Sequence, residues 1–157
     1  MTRFESLLLQ ISTVISALSG AIFLAMKYLL KNDDPFSVLG HPWQPYMLAA
    51  HVIVGPVVVF ALGLISREHV LGRYLNGARK GGRRSGASTI LLAAPMILSG
   101  YFLQIVTGET FRLALVIVHV ATGTMFASLF FWHLRATAAR RREVARSAGI
   151  AVNPPAP

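Results

Sequence analysis

Four stretches of the chain carry no Asp, Glu, Lys or Arg: Ser6–Met26, Gln44–Ser66, Ala87–Gly108 and Leu113–Leu134. Each is 21 to 23 residues long. A helix needs about 20 apolar residues to cross a hydrocarbon layer of about 30 Å. In lipid every backbone polar group must be paired inside its own segment, so the pattern predicts helices rather than strands. Buried helices of a water-soluble bundle would each show a charged face, and these stretches show none. The expected fold is an all-α membrane protein, a four-transmembrane-helix bundle with spans at about 6–30, 44–69, 87–107 and 112–135. The first span is too long for the apolar region of a signal peptide and has no convincing cleavage site, so it is expected to be retained.

Composition narrows the chemistry. Of the 157 residues 54% are hydrophobic and 13% charged, whereas an ordinary soluble domain carries about a quarter charged residues. With no cysteine, disulfides, thiolate zinc sites, iron–sulfur clusters and covalently attached haem are excluded.

The net charge of +9 raises the question of nucleic acid, which the placement of the charges answers. Arg3, six basic residues in Arg67–Gly86 and five in Arg135–Arg146 account for twelve of the fifteen Lys and Arg. Only Lys27, Lys31 and Arg112 lie at the opposite span ends. The positive-inside rule then puts both termini and the middle loop in the cytoplasm. The Lys31–Pro45 loop and the Thr107–Arg112 turn face outside. Residues 1–138 form the membrane domain and 139–157 a basic cytoplasmic tail, flexible from Ser147 and ending in Pro157. These charges also attract anionic lipid headgroups. No interleaved aromatic platform accompanies them, so no nucleic-acid partner is expected.

An ionisable residue inside a span is a functional hypothesis by default. Spans one and three contain no histidine, whereas spans two and four carry His51, His69, His119 and His133. His51 lies eight residues past Trp43 and His119 seven past Arg112, about 10–12 Å below the outer rim at 1.5 Å per residue. His69 and His133 share a level near the cytoplasmic boundary. The 18 residues from His51 to His69 are a whole number of helical turns, and the 14 from His119 to His133 nearly so. Each pair therefore shares one face of its helix. The axial separations are about 27 Å and about 21 Å, and a kink at Gly55-Pro56 would reduce the mismatch.

The segments His51-Val52-Ile53-Val54-Gly55 and His119-Val120-Ala121-Thr122-Gly123 echo one another as H-V-x-x-G. A glycine one turn from each histidine removes the side chain that would block a flat macrocycle. The echo suggests two parallel halves, spans one–two and three–four. Two histidines from two helices at one depth, twice, suit bis-histidine haem iron held between helices two and four. Basic or polar partners for haem propionates are at hand in Arg67, Arg73 and Arg135 on the inner side, and in Gln44, Tyr46 and Arg112 on the outer.

Other readings attach to the same residues. A histidine in a span also serves as a hydrogen-bonding bridge between helices, which would make this a non-redox scaffold or assembly subunit. Zinc or copper needs further converging ligands, and no Asp or Glu lies within the spans. A transporter would show a midplane ion-binding cluster; Pro56 and Pro95 hint at kinks without one. His41 reads as a loop residue, Met26 and Met96 as packing, and Gly20 and Gly100 as sites of close helix approach.

Over residues 4–138 the chain resembles the membrane-embedded four-helix di-haem cytochromes b, such as the cytochrome b subunits of hydrogenases and formate dehydrogenases. The likeness rests on the four spans, the 14-residue His119/His133 pair and the paired H-V-x-x-G motifs. It implies His51 and His119 as axial ligands of an outer haem b, and His69 and His133 for an inner one. The 18-residue gap in span two exceeds the usual family spacing, which makes His69 the weakest match. The resemblance further implies an electron-transfer subunit of an oxidoreductase complex in a bacterial inner membrane. Electrons would pass between a quinone and a periplasmic cytochrome c or catalytic subunit. Glu109, Arg112 and His41 outside, or Tyr74 and Glu68 inside, are the quinone-site candidates.

Overall fold

A computed structural model describes residues 2–30, 41–66 and 83–152. They form four helices: α1 (Arg3–Tyr28), α2 (Gln44–Ile65), α3 (Arg83–Ile105) and α4 (Glu109–Val152). No strand occurs among the described residues. The helices divide into two compact units, Met1–Ala87 with α1 and α2, and Ser88–Pro157 with the rest.

Local chemistry sets the ends of α1. The Thr2 hydroxyl accepts from the Glu5 N–H at 3.2 Å, and the Glu5 carboxylate accepts from the Thr2 N–H at 2.8 Å. This capping box satisfies two orphan donors of the first turn. Glu5 at the start and Lys27 in the last turn both suit the helix dipole. The Lys27 ammonium lies 5.9 Å from the Phe23 ring centroid and 5.6 Å from that of Tyr28.

At the start of α2, Pro45 sits where a missing N–H costs nothing. Trp43 and Tyr46 meet edge-on there, centroids 6.5 Å apart. The two helices of this unit run antiparallel: Val54 and Val57 share an apolar groove with Phe4, Leu8, Ser12 and Ile15, while His51 meets Ser16 and Gly20. Aromatic side chains thus gather at one end of the hairpin, as at a membrane–water interface.

In the second unit only Val106–Gly108 separate α3 from α4, so the helices again form an antiparallel hairpin. The expected turn at Thr107–Arg112 is therefore shorter, and α4 begins at Glu109. Pro56 and Pro95 lie inside unbroken helices.

Among the described residues three helices are long and apolar enough to cross a bilayer: α1, α2 and α4; α3 carries a shorter apolar run, Leu91–Ile105. The side-chain arrangement is the reverse of a water-soluble domain. Large apolar residues such as Ile53, Phe60, Leu91 and Trp132 are exposed, while Ser12, Thr13, Ser19 and Ser99 are buried. Lipid gives apolar side chains no reason to hide, and small residues let helices approach. The buried hydroxyls of Ser12, Ser19 and Ser99 donate to carbonyls one turn back, at 2.7, 2.8 and 2.6 Å, which avoids an unpaired polar group. The Thr13 hydroxyl is buried without a hydrogen-bond partner among the described residues.

The fourth helix differs most from expectation. It was expected to end near 135 and runs instead to Val152, so the basic segment is helical and Ser147 begins no loop. At 1.5 Å per residue its 44 residues extend about 66 Å, roughly twice the hydrocarbon thickness. The continuation of span two to residue 69 lies outside the described residues.

The cysteine-free chain makes membrane immersion directly testable. Ile117 and Val144 are similarly exposed on α4, at 60% and 65%. A water-soluble maleimide is expected to label Val144→Cys readily and Ile117→Cys barely in native membranes. Equal labelling would show that the apolar part of α4 faces water.

Candidate functional site

The helix-crossing contacts of both units are built around a histidine. In the first, His51 Nδ1 lies 2.9 Å from the Ser16 carbonyl oxygen. In the second, His119 Nδ1 lies 2.9 Å from the Met96 carbonyl oxygen. A carbonyl only accepts, so the ring proton sits on Nδ1 in both. In the neutral imidazole the lone pair then belongs to Nε2. A hydrogen bond of this kind between helices in lipid contributes on the order of 1 kcal/mol.

Glycine makes these bonds geometrically accessible. The accepting carbonyl stands four residues before Gly20 in α1 and four before Gly100 in α3. In a helix that carbonyl already bonds the N–H of the residue four on, and a side chain there would screen its other lone pair. A Cβ on Gly20 would lie 2.8 Å from His51 Cε1, and one on Gly100 2.9 Å from His119 Cε1. Both rings thus lie directly against a glycine backbone. Close helix approach at Gly20 and Gly100 was legible in the sequence; contact with the histidines was not.

A second repeat emerges from this geometry. Leu18-Ser19-Gly20 returns as Leu98-Ser99-Gly100, and both serines back-bond to their own helix. With the H-V-x-x-G echo, each hairpin carries L-S-G on its first helix and H-V-x-x-G on its second. Fifteen residues join α1 to α2 and three join α3 to α4. That difference of twelve accounts for the unequal spacing of the two motifs along the chain. The sequence signal was present as a three-residue repeat on helices without histidine.

The glycines of the echo differ in surroundings. No described atom lies within 4 Å of the position a Gly55 side chain would take, whereas Met96 Sδ lies 3.8 Å from that of Gly123. Gly63 of the same helix is as open as Gly55, and at Gly123 the flexible Met96 thioether makes an ordinary van der Waals contact.

The remaining expected residues fall as follows. His133 is half-buried on α4, fourteen residues past His119, and among the described residues no hydrogen bond reaches its ring. His69 lies outside the described residues, as do Arg67, Glu68, Arg73 and Tyr74, so the inner pair is represented by His133 alone. His41 lies in the turn before α2, two residues ahead of the N-cap Trp43: its Nδ1 accepts from the Trp43 N–H at 3.1 Å and its carbonyl from the Gln44 N–H at 3.0 Å. Gln44 and Tyr46 lie in the first turn of α2, and Glu109 and Arg112 in that of α4. Arg135 is exposed on α4. Among the described residues no three His, Asp or Glu side chains gather as a metal-ion site.

The fold and composition define a helical protein with the make-up of a membrane-spanning one. Compared with protein-family models, curated protein sequences and solved structures, the chain matches none.

The clamps predict a pattern of alanine tolerance. Gly20→Ala and Gly100→Ala should each displace the adjacent ring and cost about 1–2 kcal/mol through the lost buried hydrogen bond. Gly63→Ala, where nothing lies within 4 Å, should be neutral or stabilising through better helix propensity. Unfolding midpoints in detergent would read the difference, and equal behaviour of all three would disprove the clamps.

Proposed function

We propose that this protein is a membrane-embedded b-type cytochrome that transfers electrons across or along the bilayer. The observation that carries this reading is the matched preparation of His51 and His119, each with its Nδ1 proton tied to a backbone carbonyl. Histidines that ligate metals almost always donate their other N–H to a carbonyl, carboxylate or water. That bond fixes the tautomer and raises ligand basicity. The residues present fit a haem on two further counts. The open face at Gly55 leaves room for a flat ring beside His51. The apolar surroundings suit a macrocycle held by neutral imidazoles.

In this reading His51 and His119 would hold an outer haem b, and His133 with His69 an inner one. Haem would supply one-electron chemistry. This chain's residues hold the imidazoles in one tautomer, orient them through the glycine contacts, and exclude water with lipid-facing apolar side chains. Arg112, Gln44 and Tyr46 are the outer propionate partners, and Arg135 an inner one. The location is the bacterial inner membrane with both termini cytoplasmic. The electron partners are a quinone and a periplasmic cytochrome c or catalytic subunit of a larger oxidoreductase complex.

The clamps themselves favour one rival. A histidine that only ties two helices together makes the same bond to a carbonyl, and such a protein would be a scaffold or assembly subunit.

Optical spectra decide between the two. Protein purified mildly from haem-sufficient cells should show reduced-minus-oxidised Soret and alpha bands, and their absence would end the cytochrome reading. His51→Ala and His119→Ala should each remove the same outer haem; loss of different haems would overturn the pairing. Gly55→Leu separates the readings further. With space around Gly55 it should fold as well as the parent, yet lose outer-haem absorbance, whereas a scaffold would be indifferent to it.

A further inference from the structure

We propose that Ser99 of α3 is a positioning residue that shares the Nδ1 proton of His119 with the Met96 carbonyl, and so sets the donor strength of that ring toward iron. The inference rests on the haem reading of His119 and goes beyond it by naming what tunes the ligand.

Three observations converge on Ser99. It is 3% exposed, so its hydroxyl cannot turn to water. Its Oγ donates to the Pro95 carbonyl at 2.6 Å, with the Met96 carbonyl at 3.0 Å. That spends its one proton and leaves it only acceptor capacity. Its Oγ lies 3.3 Å from His119 Nδ1, whose main acceptor is the Met96 carbonyl at 2.9 Å. The Nδ1–H is therefore shared between two oxygens of one helical turn, and its position is defined on two sides.

Proline contributes to the arrangement. Pro95 has no N–H to give the carbonyl of Leu91, within a helix that stays unbroken. The two carbonyls that Ser99 and His119 use, those of Pro95 and Met96, begin just there. Gly100 completes the cradle, since a Cβ on it would lie 3.2 Å from His119 Nδ1 itself.

A second acceptor draws the Nδ1 proton outward and makes the opposite nitrogen more electron-rich. An electron-rich axial ligand stabilises ferric over ferrous iron. Removing the Ser99 hydroxyl should therefore raise the reduction potential of the haem that His119 ligates. The Met96 carbonyl would still hold the ring, and the haem should remain bound.

Redox titration of the purified holoprotein, followed by low-temperature electron paramagnetic resonance of its ferric form, tests this. Ser99→Ala is expected to keep the full Soret band, to shift one midpoint potential upward and to move the g-values of that haem toward weaker ligation. Ser99→Thr, which restores a hydroxyl, should return both toward the parent. Parent-like potentials and g-values in Ser99→Ala would overturn the role of Ser99, as would a Ser99→Thr variant that behaves like Ser99→Ala. Loss of the haem in both variants would also overturn it, because the hydroxyl would then be holding the ring rather than tuning it. A parent protein without haem bands would remove this inference together with the reading beneath it.

Discussion

The structure of each hairpin depends on one constraint: a polar imidazole within an apolar helix pair must place its N–H on an acceptor. Desolvated polar groups are costly unless paired, and the available acceptors are helix carbonyls already engaged with their own N–H. Such a carbonyl has a second lone pair, reachable only where the side chain four residues on is missing. Gly20 and Gly100 supply that gap, and the rings of His51 and His119 fill it. The remaining packing follows the same economy of size. The buried serine hydroxyls fold back onto their own helices, and many large apolar residues are exposed on the outside of the helices.

The two hairpins solve this problem identically and then diverge around it. Ser16 in the first is matched by Met96 in the second, Ile15 by Pro95, and Thr13 by Ala93. Both members of the last pair are buried, so at this position one half carries a hydroxyl and the other only a methyl group. Gly55 faces open space and Gly123 faces the Met96 thioether. The two imidazoles are thus tied in the same way and sit in unequal surroundings. The hydrogen bonds define the rings, and the neighbours give each a different polarity.

The length of α4 gives the basic residues a second meaning. Arg135, Arg140, Arg142 and Arg146 are exposed along a helix continuous with the apolar stretch. Read as a topology signal, their charge resists translocation. As a helical extension, they also form a rigid cationic surface beyond the apolar part of α4. Arg135, Arg142 and Arg146 fall within about 40° of one another around the axis at 100° per residue, with Arg140 about 140° from Arg135, so three of the four lie along one stripe.

Much of this was legible in one dimension. Hydrocarbon thickness and backbone pairing make any uncharged stretch of this length a helix, so four elements could be placed from the absence of charge. Rarity made His51 and His119 conspicuous, and the H-V-x-x-G echo pointed to two halves. Less legible were the ends. The arginine-rich segment after Leu134 continues the helix because Ala and Arg favour it, where charge alone suggested a tail. His41 lies in the turn before α2, where its ring accepts from the Trp43 N–H. What the sequence determined by itself is which segments are apolar enough for a membrane and which few polar groups go with them, because transfer to lipid depends on composition along a single segment. Only tertiary structure decided that Gly20 and Gly100 lie under the imidazoles and that Ser99 reaches His119. Those contacts join residues on different helices, and their register depends on how two surfaces interlock rather than on any periodicity within one.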